Sequence, residues 1–336
     1  MIKEAINKIL NRLNLTEEEM YSCVIEIMNK RVADAQIASF LTALRMKGET
    51  VDEITGSARA MRAMSVKINS PEGTIDTCGT GGDGIGTFNI STASALVVAS
   101  TGVPVAKHGN RSVSSKSGSA DVLEALGVKI DLTPKQVEAC LFETNFAFLF
   151  APLFHPAMKN VAQVRRDMGI RTIFNVLGPI TNPADTKIQL IGIFDPNLTE
   201  VIAQVLGKLG SKKAMVVHGL DGLDEISISM GTQVTELKDS KVITYNIEPE
   251  EVGLSKGPIN EIIGGDKEIN AKIILSLFEG SRGPARDIVL INAGAGIYVA
   301  GKADSIKTAI MIAQEAIDSG KALNKLKEVI SFTNKV

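Results

Sequence analysis

The chain has 336 residues, of which 44% are hydrophobic, and it carries a formal net charge of −2 at pH 7. This length suits two domains or one large domain, and the apolar fraction is ample for a sizeable core. A charge so close to zero argues against a general nucleic-acid binder or a protein that binds acidic membranes. No apolar run reaches membrane-spanning length and no N-terminal signal sequence is visible, so we expect neither membrane nor nucleic acid as a partner.

The three cysteines are Cys23, Cys78 and Cys140, and they are widely spaced. An odd number without metal-site spacing predicts neither a disulfide framework nor a zinc site. Such usage is typical of proteins that stay in a reducing compartment. We therefore expect a cytoplasmic protein.

Residues 1–70 contain no proline and are predicted to form a bundle of about four short helices. The sequences T-E-E-E from Thr16 and T-V-D-E from Thr50 are capping boxes. Asp34 is expected to cap a further helix that ends at Gly48. Such a bundle can bury a leftover apolar face against a second copy, which predicts a homodimer, or it can simply cover the core of the second domain.

From Thr74 onward, strands and helices alternate, which predicts βαβ units and a largely parallel sheet. After Asp224, short strands follow one another without helices, so an antiparallel portion is expected before a helical end. We predict an α/β protein with a small N-terminal helical domain (1–70) and a larger α/β domain (71–336) with a mixed, largely parallel sheet. The predicted strands are 74–78, 103–106, 128–131, 146–150, 187–194, 214–218, 226–230, 233–237 and 242–247.

Five glycines crowd into the stretch D-T-C-G-T-G-G-D-G-I-G-T-F-N-I-S-T, residues 76–92. Glycines at this density let the backbone adopt positive φ and approach a ligand closely. Successive N–H groups can then converge on an anion. Asn89, Ser91 and Thr92 begin a predicted helix, whose N-terminus also attracts anions. A simple tight turn is the alternative, because the pattern is neither a Walker A motif nor the dinucleotide fingerprint.

A second loop of small residues favours phosphate binding over a simple turn. It is K-H-G-N-R-S-V-S-S-K-S-G-S, residues 107–119, and it carries three cations, Lys107, Arg111 and Lys116, among five serines. Such a segment is poorly suited to a core, and its positive charge is local in a chain whose net charge is −2. Two such loops around one helix predict a site for a ligand with more than one phosphate.

An acidic segment, H-G-L-D-G-L-D-E at residues 218–225, follows a predicted strand. In open α/β sheets, ligands lie beyond the carboxyl ends of the strands. Adjacent Asp224 and Glu225 are hard oxygen ligands of the kind that hold Mg²⁺ together with substrate phosphates. A solvated acidic turn is the alternative interpretation of this pair.

A fourth segment, residues 152–183, joins a histidine between prolines to two arginines and a stiff turn. His155 could occupy a buried capping position or line a pocket. Arg165 and Arg166 lie on an otherwise apolar predicted helix, and an arginine that faces a cleft suits bidentate recognition of a carboxylate. The residues alone therefore predict a site for a phosphorylated ligand and magnesium. They leave open whether the site also binds a carboxylate.

With these motifs assembled, the chain resembles the anthranilate phosphoribosyltransferases along its whole length. The resemblance rests on motifs that occur together, in order and at typical spacing. They are D-T-C-G-T-G-G-D-G (76–84), N-I-S-T (89–92), K-H-G-N-R (107–111), S-G-S-A-D-V-L-E-A-L-G (117–127), F-A-P-x-x-H-P-A-M (150–158), R-x-x-x-G-I-R-T-I-F-N-x-L-G-P (165–179) and H-G-x-D-G-x-D-E (218–225).

The resemblance implies an enzyme of tryptophan biosynthesis. Such an enzyme transfers the phosphoribosyl group of 5-phosphoribosyl 1-pyrophosphate to the amine of anthranilate and releases pyrophosphate. The resemblance also implies a homodimer formed through the helical domain, to which a segment near residues 165–180 would contribute. Neither the residues nor the resemblance single out an obligatory general base.

The resemblance further implies roles for individual residues. Phosphoribosyl pyrophosphate would contact Gly79, Gly82, Asp83, Thr87, Asn89, Ser91, Thr92, Lys107, Asn110, Arg111, Ser112, Ser114, Ser115 and Ser119. Anthranilate would contact Gly79, His108, Asn110, His155, Arg165 and Gly178. Two Mg²⁺ ions would be held by Ser91, Asp224 and Glu225.

Two other functions stay open at this stage. Pyrimidine nucleoside phosphorylases resemble this architecture and carry a Gly-rich phosphate loop, but they use inorganic phosphate and need no acidic metal pair. A relative of this fold that binds nucleic acid without catalysis would call for a broad basic surface. The acidic segment argues against the first alternative, and the net charge of −2 argues against the second.

Overall fold

The chain begins with a bundle of four helices, as a computed structural model describing residues 1–112 and 116–336 shows. Thr16 and Thr50 each form a complete capping box with the glutamate three residues later. The third helix has Ala33 at its N-cap, so the prediction of Asp34 as the cap is wrong by one residue, whereas Gly48 does end the helix, with φ of 90°. The four helices are α1 (Ile2–Leu10), α2 (Glu17–Met28), α3 (Asp34–Lys47) and α4 (Val51–Ala63).

The core of this bundle also takes in a later part of the chain. Val161 and Phe174 belong to the same buried apolar cluster as Phe40 of α3. They lie on two later helices, α9 (Lys159–Met168) and α10 (Phe174–Leu177). The segment that follows α9 therefore packs against the bundle, and a division of domains at residue 70 with this segment added stays a prediction.

The rest of the chain surrounds a seven-stranded sheet, in the order β3-β2-β1-β4-β5-β6-β7 for the described residues. The pairings from β3 through β5 are parallel, and the pairings β5–β6 and β6–β7 are antiparallel. The expected mixed, largely parallel sheet is confirmed. The strands are β1 (Ile75–Asp76), β2 (Val105–Gly109), β3 (Phe146–Phe150), β4 (Ile188–Gly192), β5 (Lys213–Gly219), β6 (Thr232–Lys238) and β7 (Lys241–Ile247).

Two predicted strands, 128–131 and 226–230, are wrong. Val128 is 3% exposed and Ile228 is fully buried, so their apolar character reflects burial without strand pairing. The Ser227 hydroxyl donates to Asp221 across 2.5 Å and holds the second segment in a turn. Alternating apolar residues report which side chains are buried, and they do not specify a hydrogen-bonded neighbour.

Helices cover both faces of the sheet. The sequence of α5 (Ile90–Ser100) is small or apolar on every side, as expected of a helix that is buried all round. It packs against α13 (Pro284–Val299) and α15 (Lys321–Lys335), which fixes its N-terminus beside the sheet. The predicted helical end includes α14 (Ile306–Asp318) and α15 (Lys321–Lys335), which are separated at Gly320, with φ of 76°. The other helices are α6 (Ser119–Ala125), α7 (Pro134–Thr144), α8 (Ala151–Phe154), α11 (Leu198–Lys208) and α12 (Lys267–Phe278).

Within the described part of the chain, none of the helices combines the length and the apolar character that crossing a membrane requires.

Candidate active site

The Gly-rich loop, residues 79–86, leaves β1 at the carboxyl end of the sheet. A Cβ added to Gly79 would lie 3.0 Å from Asp224 Oδ2, which is tighter than most Cβ contacts, so the backbone lies close against the acidic segment. Four more glycines adopt positive φ, a conformation that costs other residues roughly 1–2 kcal/mol. They are Gly81 (67°), Gly82 (79°), Gly84 (79°) and Gly86 (81°).

Hydrogen bonds of Thr80 and Gly81 hold this loop against the end of β4 and the acidic segment. The Thr80 backbone N–H donates to the Gly192 carbonyl across 2.8 Å. The Thr80 hydroxyl accepts from the Phe194 N–H across 3.2 Å, and the Gly81 N–H donates to Asp224 Oδ2 across 2.6 Å. The loop is therefore tied both to the end of β4 and to the acidic segment.

The residues that follow the loop enter α5. Thr87 forms an isolated antiparallel bridge with Ile263. Asn89 is the N-cap residue of α5, and Ser91 and Thr92 occupy its first turn. The Thr92 side chain is fully buried, and its hydroxyl has no hydrogen-bond partner among the residues that the structure describes.

Lys107, the first residue of the predicted second loop, lies on β2 and is only 2% exposed. Its Nζ donates to the Thr77 carbonyl across 3.1 Å and to the Ser91 hydroxyl across 3.2 Å. These contacts direct a buried positive charge to the first turn of α5. The ammonium also lowers the pKa of Glu225, against a larger effect of burial.

Three carboxylates gather at the same end of the sheet. Burial raises the pKa of Asp224, and the nearby charge of Asp83 raises it further. Burial also raises the pKa of Glu225 well above its usual value, with the charge of Asp224 as the second cause. The backbone N–H of Ser91 lowers the pKa of Glu225, so this carboxylate lies beside the first turn of α5. Carboxylates that repel one another in this way favour a bound cation, and oxygen ligands suit Mg²⁺.

The second loop is held at both ends by Asp121. Asp121 Oδ2 accepts from the backbone N–H groups of Ser112, across 3.0 Å, and of Gly118, across 2.8 Å. Arg111 turns toward the same helix, with its Nη1 2.9 Å from Asp121 and 2.6 Å from Glu124. The structure therefore pairs Arg111 with α6 and does not direct it at the Gly-rich loop.

The two loops meet through Asn89 and Ser117. The Asn89 side-chain N–H donates to the Ser117 carbonyl across 3.2 Å, and the Ser117 hydroxyl donates to Asn89 Oδ1 across 3.3 Å. At the other end of the loop, the Ser119 hydroxyl donates to the carbonyl of Asn110, which is exposed, across 3.3 Å. Of the predicted phosphate contacts, Ser114 and Ser115 lie outside the described residues.

Two histidines pack against each other beside the second loop. The ring centroids of His108 and His155 are 5.1 Å apart, and His108 Nδ1 lies 3.0 Å from the Gly178 carbonyl. Burial lowers the pKa of His108 to about 3 and that of His155 to about 4. Neither Nε2 has a hydrogen-bond partner among the described residues. The pair therefore presents neutral imidazoles next to the Gly178 turn.

Arg165 lies on α9, where burial lowers the pKa of its guanidinium. Its Cζ is 5.6 Å from the ring centroid of Phe174. In the described part of the chain it forms no salt bridge, whereas the more deeply buried Arg62 and Arg286 pair with aspartates. A partly buried arginine without a carboxylate partner is suited to bind a carboxylate ligand.

The sequence analysis did not identify two residues that position these loops. Arg171 donates to the Gly82 carbonyl and stacks on Phe194, with its Cζ 4.1 Å from the ring centroid. It links the Gly-rich loop to the segment that follows Arg165, and its place in the R-x-x-x-G-I-R motif was the available signal. Asp121 could have been found as the acidic third residue of a helix that starts after Gly118.

A further cluster, Asp76, Cys78 and His108, brings possible metal-ligand atoms within 4.8 Å of one another. Asp76 already accepts from the His108 backbone N–H across 3.2 Å and from Asn182 Nδ2 across 2.7 Å. Burial raises the pKa of the Cys78 thiol, which disfavours the thiolate that a metal would need. We interpret this cluster as a support for the end of β2.

Comparison with known proteins agrees with this geometry. The family model described as the α/β domain of a glycosyl transferase family matches residues 71–323, and the helical bundle domain model of the same name matches residues 3–65. The anthranilate phosphoribosyltransferase of Acetivibrio thermocellus is 54% identical over 335 residues, covering 99% of this chain and 97% of the relative.

Solved structures agree as well. The anthranilate phosphoribosyltransferase of Thermus thermophilus superposes with a TM-score of 0.94 at 42% identity, covering 98% of this chain and 99% of that one. The enzyme of Saccharomyces cerevisiae in complex with PRPP and Mg superposes with a TM-score of 0.91 at 28% identity, covering 100% and 98% of the two chains.

A helical bundle beside a mixed sheet, with a Gly-rich loop at the carboxyl end of its strands, places the chain among the glycosyl transferases that have both domains. Sequence identity above 50% to anthranilate phosphoribosyltransferases, over nearly the whole chain, narrows this class to one family. The chain belongs to the anthranilate phosphoribosyltransferase family.

Proposed function

We propose that this protein transfers the phosphoribosyl group of 5-phosphoribosyl 1-pyrophosphate to the amine of anthranilate, as a step of tryptophan biosynthesis. The observation that carries the proposal is the meeting of three features at one end of the sheet. A Gly-rich loop, a buried lysine and an acidic pair converge there, and the Gly81 N–H is hydrogen-bonded to Asp224. A neutral histidine pair and Arg165, which forms no salt bridge with the described residues, lie on the side of the helical bundle.

Phosphoribosyl pyrophosphate would lie between the two loops. Exposed backbone N–H groups of the Gly-rich loop and the N-terminus of α5 are donors for its anionic oxygens. Lys107 adds a fixed positive charge at the Ser91 hydroxyl, 3.2 Å away. The proposed contacts are Gly79, Gly82, Asp83, Thr87, Asn89, Ser91, Thr92, Lys107, Asn110, Arg111, Ser112, Ser114, Ser115 and Ser119.

Among these, Arg111 has the weakest support. Its guanidinium forms two ion pairs with carboxylates of α6. It would have to leave them to reach a phosphate, so we expect Arg111 to act through the second loop's conformation.

Magnesium fits the donor set of the acidic segment. Asp224 and Glu225 offer carboxylates whose pKa values are raised by burial and by a neighbouring charge, that of Asp83 for Asp224 and that of Asp224 for Glu225. Ser91 would add its hydroxyl. We propose two ions at these residues, with Glu225 shared between them. Bound Mg²⁺ would neutralise charge on the pyrophosphate leaving group.

Anthranilate would lie on the side of the helical bundle. Arg165 would bind its carboxylate with two parallel hydrogen bonds, as guanidinium groups commonly do. Neutral His108 and His155, together with Gly178, would line the path of the flat ring. Gly79 and Asn110 would lie where the two substrates meet.

The chemistry follows from where charge develops. As the C1–oxygen bond to pyrophosphate breaks, the ribose becomes positive and the leaving group negative. Donors fixed around the leaving group, such as the Lys107 ammonium and the first turn of α5, stabilise that charge without reorganisation. The neutral aromatic amine then forms the C1–nitrogen bond and afterwards loses its proton to solvent. Positioning therefore matters more than a strong base.

The test is the loss of anthranilate fluorescence on addition of phosphoribosyl pyrophosphate, with and without Mg²⁺. We expect magnesium-dependent loss with stoichiometric release of pyrophosphate. A parallel assay supplies pyrimidine nucleosides and inorganic phosphate. Phosphorolysis in that assay, without turnover of anthranilate, would replace the proposed function by that of a nucleoside phosphorylase.

We further propose a homodimer that forms through the helical bundle. Leu10 is 66% exposed and Met46 is 74% exposed, so apolar surface is available on two of its helices. Sedimentation at micromolar concentration tests the dimer, and charged residues at Leu10 and Met46 should yield monomers.

We also propose a cytoplasmic location. The three cysteines are free thiols, which supports this proposal.

A further inference from the structure

Residues 262–264 lie alongside the arm, residues 86–88, that connects the Gly-rich loop to α5. Phe88 N–H donates to the Ile262 carbonyl across 3.2 Å, and Gly264 N–H donates to the Gly86 carbonyl across 2.9 Å. The isolated bridge between Thr87 and Ile263 lies between these two bonds. The contact is close, since a Cβ on Gly264 would lie 2.7 Å from the Phe88 nitrogen. Residues 262–264 therefore act as a short strand that fixes the course of this arm.

Asn270 extends this brace from the first turn of α12, and its side chain is 1% exposed. Its Oδ1 accepts from the Gly265 N–H across 2.8 Å, and its Nδ2 donates to Asn89 Oδ1 across 2.9 Å. The turn that carries it is itself fixed, because the Asp266 carboxylate caps α12 at the Ile269 N–H. A buried amide with a donor on one side and an acceptor on the other has only one satisfied orientation.

This orientation determines how the Asn89 amide lies. Asn89 Oδ1 accepts from Asn270 across 2.9 Å and from the Ser117 hydroxyl across 3.3 Å. The Asn89 Nδ2 is thereby directed to the second loop, where it lies 3.2 Å from the Ser117 carbonyl. Without the donor on Asn270, the amide could rotate by half a turn and place its oxygen against that carbonyl.

We propose that Asn270 is a positioning residue for phosphoribosyl pyrophosphate, acting through Asn89 without touching the substrate. The inference rests on the proposed role of Asn89 as a pyrophosphate contact. Asn270 holds the N-cap amide in the orientation that joins the two phosphate loops. Small errors in such positioning are costly, because preorganised geometry supplies much of the binding and catalytic effect.

A double-mutant cycle with Asn89→Ala and Asn270→Ala tests whether one residue acts through the other. We expect Asn270→Ala to raise KM for phosphoribosyl pyrophosphate about 3- to 10-fold, the range of one lost neutral hydrogen bond. KM for anthranilate should change by less than about twofold. The double variant should match Asn89→Ala alone, because coupled residues are not additive.

Asn270→Asp is a second, more selective variant. It keeps the shape of the side chain and the acceptor for the Gly265 N–H, but it replaces the donor to Asn89 by a carboxylate oxygen. We expect a larger rise in KM for phosphoribosyl pyrophosphate than with alanine, because the carboxylate also favours the rotated Asn89 amide. Equal or smaller effects than with alanine would contradict the role assigned to this donor.

The control variant is Thr235→Val on β6. The Thr235 hydroxyl is fully buried and lies 3.0 Å from that of Thr199, so its loss should lower the melting temperature without affecting either KM. If Asn270→Ala raised both KM values equally, or if its effect added to that of Asn89→Ala, Asn270 would be only a stability residue. Melting temperatures of all variants separate this outcome from a failure to fold.

Calorimetric titration with phosphoribosyl pyrophosphate separates this inference from the proposed function. If the wild-type protein bound phosphoribosyl pyrophosphate but did not turn over anthranilate, the proposed function would fail. The double-mutant cycle, measured as Kd for phosphoribosyl pyrophosphate, would still decide the role of Asn270. Absence of binding to the wild-type protein would overturn both.

Discussion

The Gly81 backbone N–H lies 2.6 Å from Asp224 Oδ2, although 143 residues separate the two along the chain. This bond joins the Gly-rich loop directly to the acidic pair. A change at either partner should therefore reach the other. The proposed phosphate site and metal site are one structural unit at the carboxyl end of the sheet.

Glu225→Ala should leave the fold intact and cut turnover by about 100-fold or more, the order expected when one preorganised charge-stabilising group is lost. The reason is the loss of a carboxylate that two phosphate-bound ions would share. Removal of one of three mutually repelling carboxylates should not lower the melting temperature of the metal-free protein. Steady-state rates at rising Mg²⁺ concentration provide the measurement.

The control for this variant is Glu261→Ala, which removes an exposed carboxylate near the loop. It should leave both turnover and the magnesium dependence unchanged. Near wild-type turnover of Glu225→Ala at saturating Mg²⁺ would remove Glu225 from the metal site.

Gly81→Val should abolish phosphoribosyl pyrophosphate binding while it lowers stability only modestly. Gly81 has φ of 67°, so a side chain there costs about 1–2 kcal/mol of strain, and no heavy atom lies within 4 Å of the added Cβ. Gly73→Val is a matched control, because Gly73 has φ of 78° and equally open surroundings before β1. Calorimetry should show similar loss of stability in both variants but loss of binding only at residue 81. If Gly81→Val bound phosphoribosyl pyrophosphate as the wild type does, the loop would be a tight turn without a role in binding.

The sequence predicted the Gly-rich turn and the helix caps well because their chemistry is local. Glycines that need positive φ, such as Gly81, and capping residues, such as Thr16, act within a few positions of themselves. The N-terminal helices and the alternation of strands and helices were predicted for the same reason. Residues 128–131 were misassigned because burial against distant helices looks the same in sequence as burial in a strand.

Contacts between distant segments could not be predicted from the sequence. Asn270 reaches Asn89 across 181 positions, and nothing in the local sequence around residue 270 indicates a partner. Arg111 carried the expected charge, but its direction is decided by Asp121 and Glu124 on the next helix. Sequence patterns identify which groups a site contains, while tertiary packing decides which way each group points.

Acid should destabilise the wild-type protein partly through His155. Burial lowers the folded-state pKa of His155 to about 4, below its ordinary value of 6.5. Between these values the unfolded chain binds a proton that the folded protein does not. The stability that the neutral His155 contributes is therefore complete above pH 6.5. As the pH falls below 6.5, the free energy of unfolding decreases by about 1.4 kcal/mol per pH unit.

His155→Gln should lack that loss. Urea unfolding at pH 7, 6 and 5 measures the difference in unfolding free energy between wild type and variant. Buried carboxyls with raised pKa, such as Asp76 at about 6, contribute with the opposite sign, but they are present in both proteins and cancel in the difference. The advantage of the wild-type protein should shrink steadily below pH 6.5, and parallel pH profiles would contradict a buried, neutral His155.

Arg165→Ala should raise KM for anthranilate about 10- to 150-fold, because a hydrogen bond to a charged group contributes about 1.5–3 kcal/mol. KM for phosphoribosyl pyrophosphate should change much less, since we propose that the two loops of the α/β domain bind its phosphates. Arg165→Lys should restore only part of the affinity, because an ammonium lacks the planar fork of the guanidinium.

Arg166→Ala is the matched control on the same helix. Arg166 is exposed and donates to Gln163 across 2.6 Å, so its loss should leave both KM values unchanged. Steady-state kinetics that vary each substrate in turn separate the two arginines. An equal rise in both KM values for Arg165→Ala, or no rise for anthranilate, would assign Arg165 to the packing of α9 against Phe174, because that contact is the one that remains for its guanidinium among the described residues.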